Sequence, residues 1–536
     1  MMRFSVWFAA AATALALAAC SNKKQPDQVV APAPTKIKVD QLIFEPKVGA
    51  PGDTVTFTAV ITSSSQNVGD YPSMEWKATG GSFVDSTTET VHWVSPHTTG
   101  IFKITAKATN NAGSASNTAA VFIGAGETLV DFGAGQITLI GSGPDFHFLH
   151  TFDVTKGSDV YVYDYASRTS SDAVAPLLAN NLNVAYSPDG MLEAHAADTT
   201  AIGATVRPRN IYIGDFTTGM LKRITKDGTR PGNPEHNQYN YPSFSPNGQV
   251  IAFQRLAQSW DNVATDSFHV YIQDLVTNKR TLVTYDYDYP RGFFPTFSTD
   301  SKWLVYVLDK QRTGQWDMFA SPMTGNDVDG SQAAAKRLTN DGAIVVGGPR
   351  DIKKPPMGWN PMSPTLAVAT PDKVYVIQMT SSGGTATPVA LAKTAEVVWA
   401  GDGSLLAVSY FKTVDESTFS TIATVTPAGV ATDRVTALAG DNLRDMVFSP
   451  DGKWLLYRTI RGGVSWFNVA DISAGVLTAP VPLTPTAAAG ASGTAYRSAM
   501  SLRPAWTSTN LMIYPAFEST VGTPGLFTRD LSGLVN

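Results

Sequence analysis

Along most of the chain, apolar and polar residues alternate in short runs, and the runs are separated by Pro, Asp, Asn and Gly. A period of two puts successive side chains on opposite faces of an extended strand, so the pattern predicts many short strands and little helix. The boundaries between runs repeat. Phe448-Ser449-Pro450-Asp451-Gly452 leads into Trp454-Leu455-Leu456-Tyr457, and Tyr186-Ser187-Pro188-Asp189-Gly190, Phe244-Ser245-Pro246-Asn247-Gly248 and Phe297-Ser298-Thr299-Asp300-Ser301 follow the same scheme. Pro presets the first corner, Asp or Asn bonds its own nearby backbone, and Gly accepts a positive φ, so each copy predicts a hairpin. Degenerate copies stand at Trp359-Asn360-Pro361, Trp399-Ala400-Gly401-Asp402-Gly403 and Trp506-Thr507-Ser508-Thr509-Asn510, and an eroded one at Ile140 to Asp145.

A second pattern follows each hairpin. Val160-Tyr161-Val162-Tyr163-Asp164, Ile211-Tyr212-Ile213-Gly214-Asp215, Val270-Tyr271-Ile272-Gln273-Asp274 and Val374-Tyr375-Val376-Ile377 read as third strands, with weaker counterparts near Met318, Ile422, Phe467 and Phe527. Short fourth strands are predicted at Arg223-Ile224-Thr225, Leu282-Val283-Thr284, Arg337-Leu338-Thr339 and Leu483-Thr484. Self-similarity at this spacing means an array of four-stranded sheets. The last unit leaves little sequence for a fourth strand. Leu129-Val130-Asp131-Phe132, ahead of the first unit, is placed to supply it and close a ring, which removes exposed sheet edges.

On these two motifs, residues 127–536 resemble the TolB-like, WD40-related β-propellers of bacterial envelope proteins. Eight blades would take about 51 residues each and seven about 59, against ~40–45 for compact units of this kind, so eight is preferred over seven. The resemblance implies docking rings, non-catalytic partners of hydrolase domains and occasional enzymes, and fold alone does not choose among them. No stretch ahead of the repeats resembles the α/β domain that TolB carries, which argues against a Tol–Pal component.

Residues 37–125 carry a different arrangement. Strands are predicted at Lys38–Leu42, Thr54–Val60, Met74–Ala78, Thr90–Trp93 and Phe102–Ala106, with turns at Ala50-Pro51-Gly52-Asp53, Gly80-Gly81 and Asn110-Asn111-Ala112-Gly113. That is the signature of a β-sandwich. Trp76, Gly80-Gly81, Trp93 and the Gly100-to-Asn110 stretch resemble bacterial Ig-like and PKD-type modules, which implies a spacer or binding arm. The expected fold class is all-β, an Ig-like sandwich followed by a propeller.

The first residues carry a different message. Arg3, an apolar run from Phe4 to Leu17, and Leu17-Ala18-Ala19-Cys20 match a bacterial lipoprotein signal, so 1–19 is expected to be a signal peptide. Cys20, the single cysteine of the chain, is the expected lipidation site. Residues 20–36 hold Pro26, Pro32 and Pro34 and read as a flexible tether. Ser21, where retained lipoproteins carry Asp, implies the outer membrane, with the mature protein facing the periplasm or the cell surface. A lone cysteine also leaves no intrachain disulfide or cysteine-based metal site.

Composition changes this picture little. Charged residues make up 16% and the net charge is -5, so no basic surface for nucleic acid is expected. No G-x-S-x-G elbow, H-E-x-x-H, P-loop or dinucleotide fingerprint occurs, and no hydrolase domain is expected beyond the repeats, so neither catalytic residues nor a cofactor are assigned. His147, His150 and His195 fall on second strands, where structural roles outweigh a metal site. Asn326-Asp327-Val328-Asp329-Gly330 lacks the full calcium-loop pattern, and Asp286-Tyr287-Asp288 suits a strand end.

Candidate chemistry lies in what the repeat does not share. Three connections are long: Lys226 to Tyr241, Asn340 to Gly358 and Pro485 to Pro504. Long loops on a rigid scaffold gather on one face and commonly bind. They carry His236, Tyr239, Tyr241, Arg350, Lys353, Arg497 and Arg503, with Arg291 and Arg444 in neighbouring shorter loops; Tyr and Arg are enriched at interface centres. The expected function is a lipid-anchored envelope binding or scaffold protein docking a protein or glycan. The alternatives are a polysaccharide-lyase-like enzyme at the channel mouth and a structural subunit of a surface assembly.

Overall fold

The computed structural model describes residues 37–535 except 46–47, 64–71, 112, 125–127, 131–135, 143–145, 154–156, 165–168, 173–181, 199–208, 216–217, 219, 226–235, 259–266, 285–290, 310–313, 329–333, 345–346, 349–350, 353, 463, 474–479, 484–503, 508–509 and 518–523. Signal, tether and Cys20 therefore lie outside the described residues.

The first module is a two-sheet sandwich. One sheet orders Ile37–Glu45, Thr54–Ser63, Thr90–Val94 and Ser82–Phe83; the other orders Val48–Gly49, Gly113–Ile123, Gly100–Asn110 and Ser73–Ala78. In the first strand Ile37 and Val39 are buried, then Leu42 and Phe44. A register shift between Val39 and Gln41 reverses the parity, so both pairs reach the same core. That core centres on Phe57, Trp76, Trp93 and Ile104. The indole of Trp93 donates to the Gly80 carbonyl at 3.0 Å and that of Trp76 to the Thr88 carbonyl at 2.9 Å, which satisfies both buried N–H groups. Gly81 sits at φ +73°, where a Cβ would lie 2.4 Å from the Val94 carbonyl oxygen. The Gly113–Ile123 strand was not among the expected elements, because its first eight residues are small or polar.

The rest is a succession of four-stranded antiparallel units, eight among the described residues. Their first, inner strands are Gln136–Ser142, Leu182–Tyr186, His236–Phe244, Arg291–Phe297, Met357–Trp359, Glu396–Trp399, Asn442–Phe448 and Ala505–Trp506, and they define units 1 to 8. Units 3 and 4 are also joined by one parallel pair between Phe268 and Arg291. Unit 8 takes its fourth strand from Thr128–Val130, which pairs with Pro524–Asp530 in the register Leu129 to Phe527. The molecule is a propeller-type array behind a β-sandwich. Facing sheets pack through apolar clusters, the largest built on Phe268, Phe293, Trp303, Val305 and Leu366 between units 3, 4 and 5.

The repeated serine shows why the hairpin recurs. The Ser449 hydroxyl donates to Asp451 at 2.5 Å and accepts the Trp454 amide at 2.9 Å, while Gly452 N–H closes onto the Ser449 carbonyl. Ser187, Ser245 and Ser298 do the same with Asp189, Asn247 and Asp300. All four serines are buried, and each hydroxyl is committed to the turn. Asn360 replaces serine in unit 5 by accepting the Met362 and Ser363 amides at 2.9 and 3.1 Å.

The sandwich is docked directly on the propeller. Val121 and Ile123 face the sandwich core, whereas Phe122 between them is fully buried in a cluster with Leu456, Phe467, Leu483, Trp506, Leu531 and Leu534. The closing helix Ser532–Val535 lies against the Gly100–Asn110 strand; a Cβ on Gly533 would lie 2.9 Å from the Gly100 nitrogen.

Candidate functional site

Strand direction sorts the two ends of each unit. The serine hairpins lie at one end, and inner strands begin at the other, where the connections between units arrive. At that loop-side end, units 2 to 4 each carry a cation in a strand: Arg209, Arg255 and Arg291. Tyr239 is the register partner of Arg255, and Arg255 of His269. The Arg255 Nη1 donates to the Tyr271 hydroxyl at 3.4 Å. Arg209 opens the third strand of unit 2 and lies close enough to the Tyr241 hydroxyl to favour its ionised form. Burial outweighs this and holds the Tyr241 pKa above its ordinary value. Burial also depresses the His269 pKa, with the Arg255 charge acting in the same direction.

The inner strands here are bulged. The register slips between Asn240 and Ser243 and between Phe293 and Thr296, and the slip places Tyr241 and Phe294 at φ +53°. Asp445 occupies the same place in unit 7 at φ +55°. A bulky residue in the left-handed region is strained and persists only where its surroundings enforce it. Tyr241 meets Phe294 edge to face at 4.6 Å between centroids, which ties the bulges of units 3 and 4 together.

The nine binding candidates therefore divide. His236, Tyr239 and Tyr241 were expected in a long loop, but they lie in the strand His236–Phe244. Its polar spelling, His-Asn-Gln-Tyr-Asn-Tyr, hid a strand whose pairing comes from its neighbours. Tyr239 is fully buried, so it has no surface to offer a partner. Arg291 and Arg444 likewise start or sit within inner strands, Arg291 half-buried and Arg444 exposed beside Asn442. Arg350, Lys353, Arg497 and Arg503 lie outside the described residues, as does Asp286-Tyr287-Asp288. Asp327 pairs with Lys279, and the Asn326 amide donates to Gln249 at 3.0 Å, so this turn ties unit 4 to unit 3.

Two other polar clusters were not anticipated. In unit 2, Glu193 and His195 are fully buried with Nδ1 2.9 Å from Oε1, and the imidazole stacks on Tyr212. Burial and the Glu193 charge push the Tyr186 pKa well up. Other units carry Ile251 and Phe253, Leu304 and Tyr306, or Leu455 and Tyr457 at the corresponding positions. Departure from the repeat was the sequence signal for this pair. In units 6 and 7, Glu396 accepts the Met446 amide at 3.2 Å, Asp445 pairs with Arg458, and Arg461 donates to Asp441 at 2.7 Å. Among the described residues no three His, Cys, Asp or Glu side chains converge as a metal site would require.

A PKD domain family model matches residues 41–122, within the sandwich. Over 136 residues the chain is 29% identical to dipeptidyl-peptidase 5 of Porphyromonas gingivalis, a match covering 25% of this chain and 18% of that protein. The matched stretch thus spans under a fifth of that relative's length. Among solved structures, an oligogalacturonate lyase of Vibrio parahaemolyticus is similar with a TM-score of 0.43 and 9% identity, covering 90% of this chain and 99% of that one. A TolB of Agrobacterium tumefaciens gives a TM-score of 0.31 at 16% identity, over 63% of this chain and 91% of that one. These are similarities of architecture.

Proposed function

We propose that this chain is a lipid-anchored protein of the cell envelope that docks a protein or glycan partner through the loop-side end of an eight-bladed ring closed by Thr128–Val130. The observation that carries it is the division of labour within the repeat. The recurring Ser-Pro-Asp-Gly residues are consumed in turn hydrogen bonds, while Arg209, Arg255, Arg291 and Arg444, which the repeat does not share, lie towards the opposite end of their strands. The burial of Phe122 between sandwich and propeller supports the reading by joining the two modules into one body. Crosslinking in intact cells followed by purification of the chain tests it. A defined partner recovered with the native chain and lost when 226–235 and 484–503 are replaced by Gly/Ser segments is the expected result; recovery unchanged by both replacements refutes it. Anchoring is tested separately by fractionation, in which Cys20→Ala should release the protein from the outer-membrane fraction.

A second reading, an enzyme acting on acidic polysaccharide at the same end, draws on the arginines of units 2 to 4. Product formation from acidic oligosaccharides, abolished by Arg291→Gln, would favour it over docking alone.

A further inference from the structure

The face that unit 2 turns to unit 1 is built unlike the faces that follow. Ala194 and Ala196 pack with Tyr239, Phe244, Ile251 and Phe253 of unit 3, so alternation along the strand turns Glu193 and His195 the other way, towards unit 1. The inner strands of these two units, Gln136–Ser142 and Leu182–Tyr186, are in contact. Tyr186 is the register partner of Glu193 and Tyr212 that of His195, so all four side chains share this face. Glu193 and His195 are fully buried, with Nδ1 2.9 Å from Oε1, yet Oε2 and Nε2 have no hydrogen-bond partner among the described residues. The seams from unit 2 onwards are closed by apolar clusters. Where one of them includes a buried carboxylate, it reaches across: Glu396 of unit 6 accepts the Met446 amide of unit 7. The contact between Glu193 and His195 stays within one strand.

We propose that the seam between units 1 and 2 is the point at which the ring opens, and that Glu193 and His195 set it there. A carboxylate and an imidazole held from water without full hydrogen bonding cost free energy, and separation of the two sheets returns it by hydrating them. Opening an apolar seam does the reverse, because it exposes apolar surface. In units 3, 4 and 7 the same two positions hold Ile251 and Phe253, Leu304 and Tyr306, and Leu455 and Tyr457, so the polar pair is a local departure and not a requirement of the hairpin. Phe122 fixes the sandwich on units 7 and 8, which makes the anchored part of the ring and the opening seam different places. Such an opening needs no bound partner and stands apart from the docking reading.

The test is thiol labelling of the full mature chain carrying Cys20→Ala, in which an introduced cysteine is the single thiol. Gly214→Cys puts it on the seam face: Gly214 is buried, is the register partner of Glu193, and has room for a Cβ, which would meet Leu221 at 3.9 Å. Ile213→Cys, one residue away, faces unit 3 and is the reference. A buried thiol reacts only when its surroundings open, so its rate with an aromatic disulfide, normalised to the same variant unfolded in urea, reports local opening. The Gly214→Cys thiol should react about tenfold or more faster than that of Ile213→Cys. Glu193→Ile combined with His195→Phe, the pair that unit 3 carries, should slow the Gly214→Cys reaction about tenfold or more and leave that of Ile213→Cys unchanged. The melting temperature should hold or rise, since apolar replacement of a buried ion pair is neutral to stabilising. Equal rates at the two positions, or a Gly214→Cys rate unaffected by the double replacement in a folded protein, overturns the proposal. Comparison of the two thiols leaves Glu193 and His195 in place, so it decides the matter even where the double variant does not fold.

Discussion

Phe122 decides whether sandwich and propeller unfold together. Its strand neighbours Val121 and Ile123 serve the sandwich core, while its own ring is fully buried against unit 7, unit 8 and the closing helix. Removing a buried phenylalanine loses the transfer free energy of its atoms, about 1.5–3 kcal/mol, and adds the cost of the cavity, for a total of about 3–5 kcal/mol. In Phe122→Ala this loss falls on the junction and leaves both module cores intact. Differential scanning calorimetry should show one transition in the native chain and two in the variant, the sandwich melting first. Limited proteolysis should then cut near 125–127. Val121→Ala, which hollows the sandwich core, should lower stability without exposing that junction. A single, unsplit transition in Phe122→Ala, or no change in its midpoint, would refute the assignment of Phe122 as the joint. Gly124→Ala tests the same contact from the other side, because its Cβ would lie 2.4 Å from the Phe122 ring and overpacking costs about 1–3 kcal/mol.

Ser449→Ala should destabilise unit 7 by about 1–3 kcal/mol, since the Trp454 amide loses its hydroxyl acceptor; urea unfolding measures it, and a change within experimental error would count against the turn as a stabilising device. Replacing Thr128-Leu129-Val130 with Pro-Gly-Pro removes backbone donors from the strand that completes unit 8. A lower melting temperature and greater light scattering are expected, whereas native behaviour would mean that the closure is dispensable. His269 has a folded pKa held below 6.5, first by burial. Its contribution is complete above that value and is lost as pH falls below it, because the unfolded chain takes up the proton first. The melting temperature should therefore fall more steeply below pH 6.5 in the native protein than in His269→Gln. Asp189 behaves in the same sense at lower pH: the Ser187 hydroxyl holds its carboxyl below 3.8, so the hairpin weakens as pH drops through that region, and Asp189→Asn should flatten the acid limb.

The hairpins were legible because their chemistry is local. Serine, aspartate and glycine within five residues close the turn whatever surrounds them, and the strands on either side show their period directly. The sandwich was legible through Trp76, Trp93 and the glycine pair between their strands. Strand Gly113–Ile123 was hidden because small and polar residues are held there by pairing with Gly100–Asn110 rather than by their own preference. His236 to Tyr241 was placed in a loop for the same reason.

By itself, then, the sequence determined a repeated four-stranded unit behind a separate β-sandwich. Only the tertiary structure decided that Phe122 belongs to the junction, since one apolar residue in an alternating strand does not reveal what its face will meet. It also decided that Arg209, Arg255 and Arg291 share one end of the ring. Those residues are dozens of positions apart, and turn chemistry, which acts over a few residues, carries no information about their common end; strand direction and pairing supply it.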